Sequence, residues 1–291
     1  MAVITYLGPS GSTFSALAYY KLATLFKIPL GEGEEILAGN NEEVLPLIIN
    51  HGGYGAIAME TEAEGRVDGP VNTFIKLLER YPTTADCPIT VVGAIRMPLN
   101  FALMVRPGVR KSEVQILIAH PKSLGACKNL VQGLTLDGKA NVVESDSNGK
   151  AAEDVATKPE FALAAALGPR VAAEKYGLEV LDEACEDMPA ATTFFLLGPK
   201  SHSVKPGSRA VLVFRIKHEC GALVDALLPF KEEGLSLRQI HSCYTQEGQY
   251  DFFIEIEIEC DRHEPDKLSR AMKKASQHMT RHILFGSFPV S

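Results

Sequence analysis

The chain has 291 residues, 46% hydrophobic and 22% charged, with a formal net charge of -7. That length leaves room for about two domains with buried cores, and the acidic balance argues against a nucleic-acid backbone as partner. Cys87, Cys127, Cys185, Cys220, Cys243 and Cys260 are scattered without a CxxC pair, and no signal-peptide pattern or membrane-length apolar run is present, so the expectation is a cytoplasmic protein with reduced thiols and no membrane contact.

Residues 2–7 read as a short strand closed by Gly8-Pro9-Ser10-Gly11. Ser12-Thr13-Phe14-Ser15 then opens a helix with Ala16, Leu17, Tyr20, Leu22, Ala23 and Phe26 for an apolar face. A strand, a Gly-rich turn and a Ser/Thr-rich helix start present backbone N–H groups to an anion, which makes Gly11, Ser12, Thr13 and Phe14 candidate contacts. The turn is neither GxGxxG nor a P-loop. A helix over 41–50 and a buried strand over 54–59 follow. The strand ends in Glu60-Thr61-Glu62, where open α/β sheets keep ligands, although a solvated acidic loop reads equally well.

A helix is expected over 71–78. The apolar run 93–105 is long enough to cross between two lobes. Strands over 114–119, 140–144 and 161–166 alternate with helices over 124–131, from 151, and over 169–176, which predicts a parallel α/β domain. Ser147-Asn148 opens the second of these helices. If its positive end and that of the helix at Ser12/Thr13 share one cleft, a dianion can be held without a high net positive charge.

Residues 186–198 (EDMPAATTFFLLG) are a Pro-bearing polar approach to a run of β-formers, with Thr192 and Thr193 at the junction. An ordinary loop-to-strand transition and a ligand-facing Thr192 are both open. After a linker over 198–207, strands over 210–216, 235–244, 250–259 and 281–285 with helices over 221–230 and 266–278 spell a ferredoxin-like βαββαβ unit. Strict alternation predicts that 250–259 is half-buried, with Phe252, Ile254, Ile256 and Ile258 on its inner face. His51, His120 and His202 stand at no metal-ligand spacing; neither a metal nor another cofactor is expected.

Along nearly its whole length the chain resembles the prephenate dehydratase family. The matching stretches are Tyr6-Leu7-Gly8-Pro9 with Gly11 and Thr13-Phe14-Ser15, Gly55 to Glu60, His120-Pro121 with Cys127, and Ala165 to Leu181. Gly221-Ala222-Leu223 and Phe285-Gly286-Ser287-Phe288-Pro289 match in the C-terminal part. The resemblance implies a two-lobed, type II periplasmic-binding-protein-like catalytic domain over 1–199, with lobe crossings near 94–105 and 182–197. An ACT regulatory domain over 208–291 follows. It also implies decarboxylating dehydration of prephenate, or turnover of a close anionic relative, and an amino-acid effector at Gly221, Ala222, Leu223, His241 and Ser242. ACT sheets commonly pair edge to edge, so the strand at 250–259 argues for a homodimer or homotetramer.

The family's donor threonine is matched by Thr192 in Thr192-Thr193-Phe194, and Glu60 is retained as a second catalytic candidate. Thr61, Arg66, Ser147, Asn148, Thr193 and Phe194 are the matched substrate contacts. The motif arginine is Thr193 here, the preceding asparagine is Ala190, and the Glu-Asn-Ser motif reads Glu60-Thr61-Glu62. Losing that arginine removes a bidentate anion partner, and Glu62 adds negative charge that Arg66, Arg96 or Lys150 must offset. His241 stands where the effector motif has an acidic residue, which predicts a weak response to phenylalanine. Three activities fit: dehydration to phenylpyruvate, decarboxylation with the ring hydroxyl retained, and ligand sensing without catalysis.

Overall fold

The computed structural model describes residues 3–29, 33–62, 65–189, 191–245, 249–258 and 266–291, the side chains of Gly65, Arg66 and Asp137 excepted. From the N-terminus run β1 (Ile4–Leu7), α1 (Phe14–Leu25), β2 (Glu35–Ala38), α2 (Asn41–His51), β3 (Tyr54–Thr61), β4 (Gly65–Arg66), α3 (Asp68–Arg80) and β5 (Ile89–Pro98). The chain then enters β6 (Ala102–Val105), β7 (Ile116–Ala119), α4 (Pro121–Ala126), α5 (Lys128–Thr135), β8 (Asn141–Glu144), α6 (Asn148–Thr157), β9 (Ala164–Gly168), α7 (Arg170–Tyr176) and β10 (Glu179–Asp182). It returns as β11 (Ala191–Pro199) and ends with β12 (Arg209–Ile216), α8 (Ala222–Glu232), β13 (Ser236–Tyr244), β14 (Tyr250–Glu257), α9 (Lys267–Ala275) and β15 (Met279–Phe288).

Two sheets form two lobes, ordered β2-β1-β3-β11-β5 and β10-β6-β9-β7-β8. Residues 99–101 and 183–189 carry the chain between them, the arrangement of type II periplasmic-binding-protein-like domains. The expected unbroken run over 93–105 is therefore two strands in different sheets. Nor are the sheets wholly parallel. A chain that crosses twice re-enters the first lobe from the far side, so β11 lies antiparallel between β3 and β5. In the second lobe β6 lies antiparallel to β9 and β10 for the same reason. The strand expected from Phe161 starts at Ala164, because Pro159–Phe161 take a single 3-10 turn first.

The C-terminal unit is a four-stranded antiparallel sheet ordered β13-β14-β12-β15, with the ferredoxin-like topology expected. One face packs on α8 and α9 through Leu212, Phe214, Phe252, Ile254 and Phe230. The other face packs on the first lobe, where Val211, Val213, Phe253 and Phe285 share a core with Phe74, Leu78 and Phe195. Residues 251–256 are thus buried on both faces, which corrects the half-buried expectation. Its polar residues find partners: Asp251 accepts from Arg215 at 2.7 and 2.9 Å, Arg215 also reaches Glu79 on α3, and Glu255 pairs with Arg209 at 3.0 Å.

β14 also lies inside the sheet, so it is not an edge for pairing with another copy. The outer strands are β13 and β15, and β15 is partly covered by the first lobe, where Thr84 Oγ1 accepts from Leu284 N at 2.9 Å. Beyond β15 the chain adds itself to β5: Ala94 N donates to Pro289 O and Arg96 N to Ser291 O, both at 2.9 Å.

Candidate active site

A cavity of about 340 Å³ lies between the lobes. The first lobe contributes Thr13, Phe14 and Ser15 from α1, Asn41, Ala58, Thr61 and Val67, and Thr192 and Phe194 from β11. Leu99 and Phe101 come from the crossing, and His120, Lys122, Ser123, Lys128, Ser147 and Asn148 from the second lobe. Seven of the residues singled out in the sequence therefore meet here: Thr13, Phe14, Thr61, Ser147, Asn148, Thr192 and Phe194.

Strand alternation decides which threonine faces the cavity. Thr192 and Phe194 point inward, whereas Thr193 stands between them on the other face of β11 and outside the lining. Thr192 is 2% exposed, and its Oγ1 is buried without a hydrogen-bond partner. A buried hydroxyl with nothing to bond is costly, and groups of this kind mark sites built for something else.

β3 carries an irregularity that turns Glu60 away. Phe194 pairs with Ala58 but Thr193 with Glu60, so one residue of β3 is extra at Met59. A one-residue slip exchanges the two faces of a strand. Thr61 consequently lines the cavity, and Glu60 projects to the opposite side, where Arg238 of β13 holds it at 3.1 Å. Glu60 is thus displaced from the catalytic position expected of it.

Thr13 donates its hydroxyl to Leu7 O at 2.8 Å and accepts from Ala16 N at 3.1 Å, while Ser147 Oγ accepts from Lys150 N at 3.1 Å. Both hydroxyls are used as caps, so each helix offers the cavity its remaining first-turn N–H groups and the positive end of its dipole. Asn148 Oδ1 accepts from Ser123 Oγ at 2.7 Å and from His120 N at 3.4 Å. A backbone N–H can only donate, so the amide oxygen must face it and the –NH₂ remains as a donor. Gly11 and Ser12 sit behind the lining. Gly11 N donates to Tyr6 OH at 3.3 Å, and Ser12 Oγ bonds Pro9 O at 3.2 Å and lies 3.4 Å from Tyr176 OH.

The lobes touch closely at Gly149. A Cβ there would lie 2.7 Å from Ser12 Oγ, 2.9 Å from Pro9 Cδ and 2.9 Å from Thr13 Cγ2. Gly149→Ala is therefore expected to push the lobes apart and lower kcat/KM by at least about tenfold, since small misplacements of catalytic groups are expensive. Gly133→Ala, in α5 with nothing within 4 Å of the added carbon, is the control and should raise the melting temperature slightly. Steady-state kinetics and thermal melts of the two variants check this.

Among the described residues the charged side chains in the wall are Lys122 and Lys128, and none of them is a carboxylate. Glu62 is neutralised by Arg96, whose Nε donates to its Oε1 at 2.6 Å, and Lys150 is occupied by Glu153 at 2.7 Å. The side chain of Arg66 lies outside the described residues. Glu186 and Asp187 have structural work: Glu186 accepts from Phe101 N at 3.0 Å, and Asp187 accepts from Asn129 N at 3.1 Å. Sequence reading missed both lysines, although His120-Pro121 had flagged the turn beside them.

A second cavity of about 240 Å³ lies in the C-terminal unit, lined by Gly221, Ala222 and Leu223 together with Lys217, Glu219, Tyr250 and Phe252. His241 and Ser242 do not line it. His241 Nε2 lies 3.0 Å from Asn72 Oδ1 on α3, and alternation along β13 turns Ser242 to the exposed face. The expected effector set is divided. Among the described residues no group of three or more His, Cys, Asp or Glu could hold a metal, and no helix is long and apolar enough to cross a membrane.

Comparison with known proteins agrees with this geometry. The family described as prephenate dehydratase matches residues 4–202. A prephenate dehydratase of Corynebacterium glutamicum is 31% identical over 261 residues, covering 87% of this chain and 78% of its own length. The structure of Arthrobacter aurescens prephenate dehydratase in complex with L-Phe shares the fold at a TM-score of 0.80 and 22% identity, over 99% of this chain and 90% of that one. A quorum-quenching acylase matches at 0.78 and 20% identity, over 99% and 98% of the two chains, so shape alone does not choose between chemistries. Sequence does choose the lineage: with the two-lobed region matched from residue 4 to residue 202, the chain belongs to the prephenate dehydratase family.

Proposed function

We propose that the protein is a lyase that converts prephenate to phenylpyruvate, carbon dioxide and water, as in phenylalanine biosynthesis. The observation that carries this reading is the unpartnered hydroxyl of buried Thr192, which faces the interlobe cavity. Prephenate bears two carboxylates at one end of its ring and a hydroxyl at the opposite carbon. The bond to the ring carboxylate breaks, its electron pair moves through the ring, and the hydroxyl leaves with a proton as water. Aromatisation drives the reaction, so the site must orient the ring and stabilise charge growing on the leaving oxygen. A threonine hydroxyl is too weak an acid to give up a proton outright. In a site shielded from water its hydrogen bond to that oxygen strengthens as charge develops.

Among the described residues the wall has no carboxylic acid to protonate the leaving oxygen, and this favours a second reading in which carbon dioxide leaves but the ring hydroxyl stays. Incubation with prephenate separates the two. Phenylpyruvate, with its aromatic ultraviolet and proton NMR signals, supports dehydration; a non-aromatic dihydro product supports decarboxylation alone; absence of both overturns a lyase role.

The C-terminal unit reads as an ACT regulatory domain that begins near residue 208 and takes an amino acid in the second cavity. Glu219 offers an anion for an ammonium group, Lys217 a cation for a carboxylate, and Leu223 and Phe252 an apolar seat. The weak phenylalanine response expected from His241 loses its basis, because His241 faces α3. L-phenylalanine should raise the melting temperature saturably, and Glu219→Gln should diminish the shift. Pairing of two copies is best served by the outer strand β13, with exposed Ile240 and Tyr244.

A further inference from the structure

Two polar atoms in the interlobe wall are left over after the fold has used their neighbours. Thr13, Ser123, Ser147 and Asn148 are all bonded within the chain. Among the described residues, the buried side-chain atoms of the wall that lack a partner are Thr192 Oγ1 and Asn41 Oδ1. The first serves the proposed reaction, and the second has so far no use. An amide oxygen buried without a partner gives up a hydrogen bond on folding, so the amide is set for a group that arrives later.

Asn41 is the first residue of α2, and the turn before it is fixed. Asn40 caps the helix, its Oδ1 accepting from Glu42 N at 3.0 Å and from Glu43 N at 3.1 Å. Glu43 turns back to accept from Gly39 N at 2.8 Å and from Asn40 Nδ2 at 2.9 Å. Neither glutamate lines the cavity, whereas Asn41 does, at the positive end of the helix. α2 follows β2, the outer strand of the first sheet, and Thr192 lies on β11, three strand positions further in. At the usual interval that is about 14 Å. One hydroxyl does not bridge such a span, so Asn41 and Thr192 attend different parts of a ligand.

An asparagine amide can present its oxygen or, turned over, its N–H donors. In prephenate the one donor is the ring hydroxyl, which the proposed reaction assigns to Thr192. The ketone and the carboxylates at the other end only accept. We infer that Asn41 turns its N–H donors to the 2-oxo acid end of the substrate and makes the cavity selective for it, an inference that rests on the prephenate reading. The 2-oxo acid group is the same before and after the ring becomes aromatic. A hydrogen bond to it is therefore made equally in the ground and transition states, and it sets affinity without setting the rate of the chemical step.

The probe is phenylpyruvate, which keeps the 2-oxo acid and lacks both the ring hydroxyl and the ring carboxylate. In calorimetry Asn41→Leu should weaken its binding by about tenfold, the scale of one hydrogen bond to a charged group. Asn41→Asp, of the same shape, should weaken it further, because an anion then faces the ligand's carboxylate. With prephenate both variants should raise KM in proportion and leave kcat within about twofold of the parent. Asn41→Leu should melt no lower than the parent, since the amide oxygen it removes has no partner. Phenylpyruvate bound by Asn41→Asp as tightly as by the parent overturns the inference, because the amide then faces a donor. Unchanged affinity in Asn41→Leu overturns it too, and Asn41→Asp alone decides should Asn41→Leu misfold. Failure of the proposed reaction looks different: the parent chain binds phenylpyruvate through Asn41 yet forms none from prephenate. A parent chain that binds neither acid overturns both.

Discussion

Thr192→Val is expected to lower kcat by about a thousandfold, the scale of losing one hydrogen-bond donor aimed at developing charge. The same change should leave the melting temperature unchanged or higher. The hydroxyl is buried with no partner, so valine of nearly the same shape removes an unsatisfied polar group and breaks no hydrogen bond. Thr193→Val is the paired control. Its side chain is outside the cavity lining, and its effect on kcat should be far smaller. Steady-state turnover of prephenate with calorimetric melts checks both. Equal, mild losses from the two variants, or a marked loss of stability in Thr192→Val, would reduce Thr192 to a strand residue.

Arg215→Ala is expected to cost about 3–5 kcal/mol, the usual result of removing one partner from a buried ion pair. Arg215 is 4% exposed and Asp251 2% exposed, and they meet through two hydrogen bonds of 2.7 and 2.9 Å. Alanine strands the Asp251 carboxylate against the first lobe and releases Glu79 as well. The melting temperature should fall by roughly ten degrees. Arg215→Met combined with Asp251→Leu removes both charges and should be much milder. Chemical denaturation of the single and double variants checks this; a single variant as stable as the parent would mean that water reaches Asp251.

Local periodicity carried the element types and the βαββαβ order, and helix-start chemistry pointed to Thr13 and Ser147. What escaped depends on partners distant in the chain. Asp251 and Glu255 alternate with apolar residues as solvent-facing positions do, and nothing local reveals that α3 and two arginines cover them. Glu60 was misplaced by a single extra residue in β3, a feature that alternation rules assume absent. His241 obeys the period of its strand, but period does not say which face meets the first lobe. Lys122 and Lys128 sit at the starts of α4, Pro121–Ala126, and α5, Lys128–Thr135, too short to show a helical period.

The addition of Pro289–Ser291 to β5 bears on how the molecule comes apart. Gly207, at the entry to the C-terminal unit, is pressed against the exit strand so closely that a Cβ would lie 1.9 Å from the carbonyl carbon of Phe288. Phe288 itself stacks edge-on with Phe195 of β11 at 5.1 Å. Entry, exit and the strand bearing Thr192 are thus knotted at one place, and the core beneath them is shared. The Gly/Pro-rich linker marks a boundary of topology without marking one of cooperativity. Amide exchange at Ala94 and Arg96 should report opening of the C-terminal unit as faithfully as any amide within it.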